Sequence, residues 1–321
     1  MSALRRAEDL YFDDCGLLLQ AEDTLFRVSG DLLASQSSFF RDMQSFPVPP
    51  DATKIDGLQV VAVPDSAEDM AKFLKAVLLP TFFPPLPAET TWSTLAPILR
   101  LSHKYTVDWL LKRAVEHLSA THPTTHADWR LLEQAAEQGN FMLGASTDVC
   151  LDAILLARQL RLDWILPMAF YRLARTKDPE AVLASEELPM QDKVRWVVGL
   201  RLLDGPWRTN ALECFWDPRG IPGCKAKGNC PEMRIGYRMA LARRWDNKEN
   251  QISLPLDIWG EQTWAAITGK PKVPGMVCQV CVEEMKKLKR AADERFWQAL
   301  PEIFGLGSWA ALEAIKARTM A

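Results

Sequence analysis

The sequence is short of histidine, with 4 in 321 residues, and contains no Asn-X-Ser/Thr sequon. His103, His117, His122 and His126 build no His-Glu-x-x-His motif, so each reads as a surface or core-packing residue. Long apolar runs are missing as well. The longest stretch without Asp, Glu, Lys or Arg, Ala76 to Ala88, carries four prolines and falls well below the ~20 apolar residues that a membrane-spanning helix needs. The opening Met1–Leu10 puts acidic residues where a signal peptide needs an apolar centre. Seven cysteines make an odd set, which argues against a secreted disulfide framework and for reduced thiols or metal ligands. The expected compartment is the cytosol or the nucleus, with no membrane partner.

Catalytic signatures are equally sparse. There is no Gly-x-Ser-x-Gly elbow, and Gly269-Lys270 lacks both the first glycine and the hydroxyl residue of a phosphate loop. Gly305-Leu-Gly307-Ser-Trp-Ala310 follows a helical pattern where a dinucleotide site requires a strand. The pairs Asp13-Asp14 and Glu283-Glu284 are sequence neighbours, unlike carboxylates opposed across a substrate. These absences favour a chain that is not an enzyme.

What remains is enough for a sizeable core: 48% hydrophobic residues, 12 of them Trp, with 25% charged. The net charge of −3 hides an asymmetry. Residues 1–120 carry 11 basic and 16 acidic groups, whereas residues 221–290 carry 13 basic and 7 acidic. The run Lys286, Lys287, Lys289, Arg290 is either a solvated helix face or a polyanion contact.

Along the chain, Leu17–Leu19 and Leu25–Val28 read as two strands around a polar turn. Leu32, Leu33, Phe39, Phe40 and Met43 follow at helical spacing up to Pro47, and Val60, Val61 and Val63 mark another strand. Ser66-x-x-Asp69 resembles a capping box ahead of Met70, Phe73 and Leu74. Two amphipathic helices, Thr91–Leu101 and Val107–Leu118, complete an α+β unit over 1–120, and the polar stretch 120–129 reads as a boundary. Residues 124–205 are helical by pattern. Residues 206–321 are rich in Trp and Cys, loop-rich over 217–275, and end in one long helix and one shorter one.

The stretch "LYFDDCGLLLQAEDTLFRVSGDLLASQSSFFRDM" resembles a BTB/POZ domain, and the order of elements over 1–120 is similar to that family. More distantly, the whole chain resembles BTB/POZ proteins of mushroom-forming fungi, with a middle region similar to BACK segments. The resemblance implies an α+β N-terminal BTB/POZ domain, then a mainly α-helical region, then a loop-rich, cysteine-bearing C-terminal segment. It also implies a protein–protein interaction role: a two-fold homodimer through this domain, or an adaptor for a cullin-type ubiquitin ligase. Met1–Leu10, through Leu4 and Leu10, and the helix with Leu32 and Leu33 are the expected contact regions, and one of Asp13-Asp14 would lie near the interface. One position departs from the family, which usually has His where this chain has Ser29. The alternative function is a nucleic-acid-associated regulator with a basic, zinc-stapled tail.

The remaining chemistry lies in Cys224-x5-Cys230 and Cys278-x2-Cys281. Two short cysteine loops brought together form the usual structural zinc arrangement, and Cys278-x2-Cys281 sits where a helix should begin. One structural zinc, free thiols, and a redox or disulfide pair are the readings open to these four; the resemblance adds weight to zinc, since family members show paired cysteines in this tail. Cys214 is an alternative ligand.

Overall fold

A computed structural model describes residues 4–47, 53–137, 146–211, 213, 221–225, 229–246, 254–257 and 277–320. The chain opens with a five-stranded sheet of order β1-β3-β2-β5-β4, formed by β1 (Arg5–Tyr11), β2 (Leu17–Ala21), β3 (Thr24–Val28), β4 (Lys54–Ile55) and β5 (Leu58–Val63). The expected hairpin is β2–β3, antiparallel from Leu17 opposite Val28 to Ala21 opposite Thr24, with Glu22 at φ +51° in its turn. β5 lies parallel to β2, which is therefore central, and Leu18, Leu19 and Ala21 are fully buried. A central strand covered on both faces needs a continuous apolar run, which is what Leu17–Leu19 supplies.

Two strands escape sequence reading. β1 runs parallel to β3 at the sheet edge, and its charges are held locally: Arg6 on Asp56 at 2.8 Å and Asp9 on Lys75 at 2.8 Å. Charged residues on an edge strand deter pairing with another chain and also mask the strand's apolar alternation. The short β4 pairs with β5 across Asp56-Gly57, both at positive φ (+49° and +77°), the preferred chemistry of a two-residue hairpin turn.

The segment expected as one helix up to Pro47 is two, α1 (Gly30–Gln36) and α2 (Ser38–Ser45). Ser37 makes the break. Its hydroxyl donates to the Tyr105 carbonyl at 2.5 Å and accepts from the Phe40 amide at 3.1 Å, so it caps α2 and ties it to the helices that follow. Ser29 caps α1 by accepting from the Leu32 amide. α3 (Ala67–Leu78) starts on Ser66, whose oxygen accepts from the Asp69 amide; the Asp69 carboxylate instead takes Arg100 at 3.0 Å, so only half the capping box forms. α4 (Trp92–Lys104) and α5 (Asp108–Thr121) pack as an antiparallel pair, and the Tyr105 ring between them stacks on Phe40 at 5.1 Å.

The helical middle comprises α6 (His126–Glu137), α7 (Thr147–Gln159), a 3-10 turn at Asp163–Ile165, α8 (Leu166–Thr176), α9 (Pro179–Ala184) and α10 (Met190–Leu202). Pro167 sits in the first turn of α8, where its missing N–H is harmless. Buried Asp192 takes Arg158 at 2.7 Å and Arg195 at 3.0 Å, fixing α10 to α7. After α11 (Arg208–Ala211) come α12 (Asn229–Asp246), α13 (Gln279–Ile303) and α14 (Trp309–Met320). α12 lies inside the segment expected to be loop-rich over 217–275; residues 221–225 and 254–257 of that segment are turns and loop as expected, and its remainder, with Gly269-Lys270, falls outside the described residues. α13 and α14 match the expected helical tail, with Leu288 of α13 38% exposed.

The polar stretch around Pro123 is buried: His122, Thr124 and Trp129 are at most 7% exposed. Trp297 donates its indole N–H to the Thr124 carbonyl, and Trp309 donates to the Trp297 carbonyl at 2.6 Å. Trp129, Trp297 and Trp309 stack in sequence, so one apolar core runs from Leu10 to Leu312. Among the described residues, no helix is long and apolar enough to cross a membrane.

Candidate metal centre

A second, smaller cluster contains Ala211, Val277, Val282 and Met285, and it encloses the cysteines. Cys224 follows the Pro222-Gly223 turn, where Gly223 has φ +77°, a conformation that favours glycine. Cys230 stands in the first turn of α12, Cys278 is the N-cap of α13, and Cys281 lies in the first turn of α13. Two helix N-termini thus face one point. Their free N–H groups and dipoles favour negative charge there.

The four Sγ atoms all lie within 4.8 Å of one another, and they form the only such group of potential ligands among the described residues. Cys224 Sγ and Cys278 Sγ are 3.8 Å apart, and the Cys278 amide donates to Cys230 Sγ at 3.2 Å. A disulfide needs an S–S distance of about 2.05 Å, so these sulfurs are not bonded. Four sulfurs at about 2.3 Å from a tetrahedral ion would be about 3.8 Å apart. The donor set therefore fits a closed, tetrahedral, thiophilic site. Cys224, Cys230 and Cys281 are buried, and Cys278 is half-buried.

The thiols are not equivalent. Burial works against ionising Cys278, but N–H groups of Cys281 and Lys225, with the neighbouring thiols of Cys281 and Cys230, outweigh it and bring Cys278 down to about 6. Burial pushes Cys281 well up, helped by hydrogen bonding to Cys224 and Cys278. Cys230 also rises, chiefly through burial. Without a cation the cluster holds one thiolate readily and resists the next. A divalent ion removes that conflict, because coordination deprotonates the thiols outright.

The other sequence candidates do not converge. His117 and His122 are buried in the helical core, His103 is exposed, and His126 meets Glu294. Cys15 and Cys150 lie outside the cluster, and Cys214 lies outside the described residues. Gly305 and Gly307 have φ of +64° and +84°. The Leu306 amide donates to the Pro301 carbonyl and the Gly305 amide to that of Glu302, so the glycines end α13 in a Schellman motif.

Two expected contact residues are corrected. Leu10 and Leu33 belong to the core at 1% and 0% exposure, whereas Leu4 and Leu32 are each 44% exposed. β1 is committed to the chain's own sheet, which is why Leu10 points inward. In the basic run, Lys289 is buried against Asp293, while Lys286 and Lys287 pair with Glu283 and Glu284. Most of that run is neutralised within its own helix.

No protein-family model, no curated protein and no solved structure matches this chain.

Proposed function

We propose that this chain is a non-enzymatic interaction protein whose C-terminal third is fastened by one structural zinc ion on Cys224, Cys230, Cys278 and Cys281. The observation that carries the zinc is the convergence of four thiols, all within 4.8 Å of one another, from two helix N-termini and the Cys224 turn. Zinc takes thiolates readily, and four of them close its coordination sphere, leaving no position for substrate. The chemistry such an ion supplies is cross-linking. The residues set the rest: Gly223 turns Cys224 inward, and α12 and α13 aim Cys230 and Cys278 at the same point.

The interaction role rests on the N-terminal unit. Its sequence resembles a BTB/POZ domain, and Leu4, Phe12, Leu32, Phe39 and Phe46 leave large apolar side chains exposed on it. Such residues suit a protein partner, either a second copy or a cullin-type scaffold. The nucleic-acid alternative has less behind it, because Lys286, Lys287 and Lys289 already have acidic partners.

The test is metal content by mass spectrometry on protein purified without added zinc or a metal-affinity step. About one zinc per chain is expected, with loss of the metal in Cys278→Ser/Cys281→Ser. Metal-free protein that melts as the variant does would overturn the zinc assignment.

A further inference from the structure

α10 has apolar residues on both sides. Its inner face carries Trp196 and Gly199, the latter so close to Phe304 that an added Cβ would lie 2.3 Å from the ring. The outer face carries Met190, Val194, Val197 and Val198, exposed at 71, 54, 45 and 50%. The spacing i, i+4, i+7, i+8 makes these one stripe. An ordinary surface helix is polar on this side. Arg201 falls on the same stripe at its C-terminal end, about 17 Å from Met190 at 1.5 Å per residue. Exposed Glu186 and Glu187 precede its N-terminal end. Among the described residues none of these three charges has an ion-pair partner, in contrast to Lys286, Lys287 and Lys289.

We propose that the outer face of α10 docks against α10 of a second copy of this chain, antiparallel and two-fold. The charge arrangement selects that occupant. An antiparallel copy centred between Val194 and Val198 sets valine against valine and brings Arg201 of each chain over the first turn of the other's α10, the end that Glu186 and Glu187 precede. A two-fold contact is self-complementary in this way, acid to base at both ends around an apolar centre. A parallel pairing would stack like charges. The patch is smaller than the 20–30 residues a side of a standard interface, so the dimer depends on protein concentration. The site is separate from the N-terminal apolar residues and does not rest on their role.

Sedimentation equilibrium of the full chain, over about a hundredfold range of concentration, tests this. The expected result is a reversible dimer that Val194→Lys/Val197→Lys abolishes with the melting curve unchanged, since both residues are exposed. Arg201→Glu alone, and Glu186→Arg/Glu187→Arg alone, should each weaken association roughly tenfold. The three substitutions together restore the opposed charges and should recover most of it. Leu32→Asp/Phe39→Asp should leave this dimer intact. A monomer at all concentrations overturns the proposal. So does a dimer indifferent to the valine substitutions, or a combined charge variant no better than the single reversals.

Discussion

The two ends of this chain are held by different means. The N-terminal unit closes over large side chains, among them Phe26, Phe40, Phe73 and Tyr105, each at most 1% exposed and all part of the core that reaches Leu312. Among the described residues, the cysteine segment gathers a handful of side chains, the bulkiest fully buried apolar one being Met285, with four sulfurs at the centre. Burial yields about 25 cal/mol per Å² of apolar surface, so a cluster this small contributes too little to order two helix starts and a turn. The proposed metal cross-link would supply what the apolar surface lacks. On the zinc proposal, the contrast makes thiol placement, more than the described apolar contacts, decisive for whether the segment around Cys224 folds.

The comparison can be broken at its metal end first. Cys278→Ser/Cys281→Ser, or a strong chelator, should release the cysteine segment while the sheet and α3–α5 keep their protection, as read by hydrogen exchange. Structural zinc in small domains is worth on the order of 10 kcal/mol, so this is the largest effect expected. Phe73→Ala attacks the other end. It should destabilise the protein by about 3–5 kcal/mol in urea denaturation, equally with and without chelator, because the cavity it leaves lies in the metal-independent core.

A pH experiment sharpens the contrast further. Burial, with a smaller contribution from Arg172, depresses His122 to about 3 from its usual 6.5. The unfolded chain therefore takes up this proton first as the pH drops. Stability from the neutral imidazole is complete above about 6.5 and falls by roughly 1.4 kcal/mol per pH unit on the way down to about 3. His122→Gln should flatten that slope in chelator-treated protein, where proton competition for the thiols no longer contributes. The smallest effect expected is from Ser66→Ala, which removes the α3 cap and should cost about 1 kcal/mol with no change in metal content.

Much of this was legible in the sequence. The β2–β3 hairpin announced itself through Leu17–Leu19 and Leu25–Val28, α3 through Ser66, and the cysteine cluster through two short cysteine spacings. What stayed hidden had physical reasons. β1 carries charges suited to a sheet edge, and β4 is only two residues long, although Asp56-Gly57 was a usable turn signal. The break at Ser37 depends on the Tyr105 carbonyl, 68 positions away, which no local pattern reveals. The stretch around Pro123 looked like a linker because Thr124 and His126 are polar; its burial comes from Trp297 and Trp309, contributed by the far end of the chain. The outer valines of α10 were visible, but only the burial of Trp196 and Gly199 showed that they are the second apolar side of that helix.

Cys230 and Cys278 stand 48 positions apart and meet at one point, so the chain between them leaves and returns through the same gate. A loop pinned at its base has its entry and exit fixed whatever its length, and doubling that length adds only about 0.6 kcal/mol to the closure term. The excursion is held a second time on its way, at Leu254, buried in the main core, and at Asp257, which takes Arg175 at 3.3 Å, so its two ends and one interior point are all fixed.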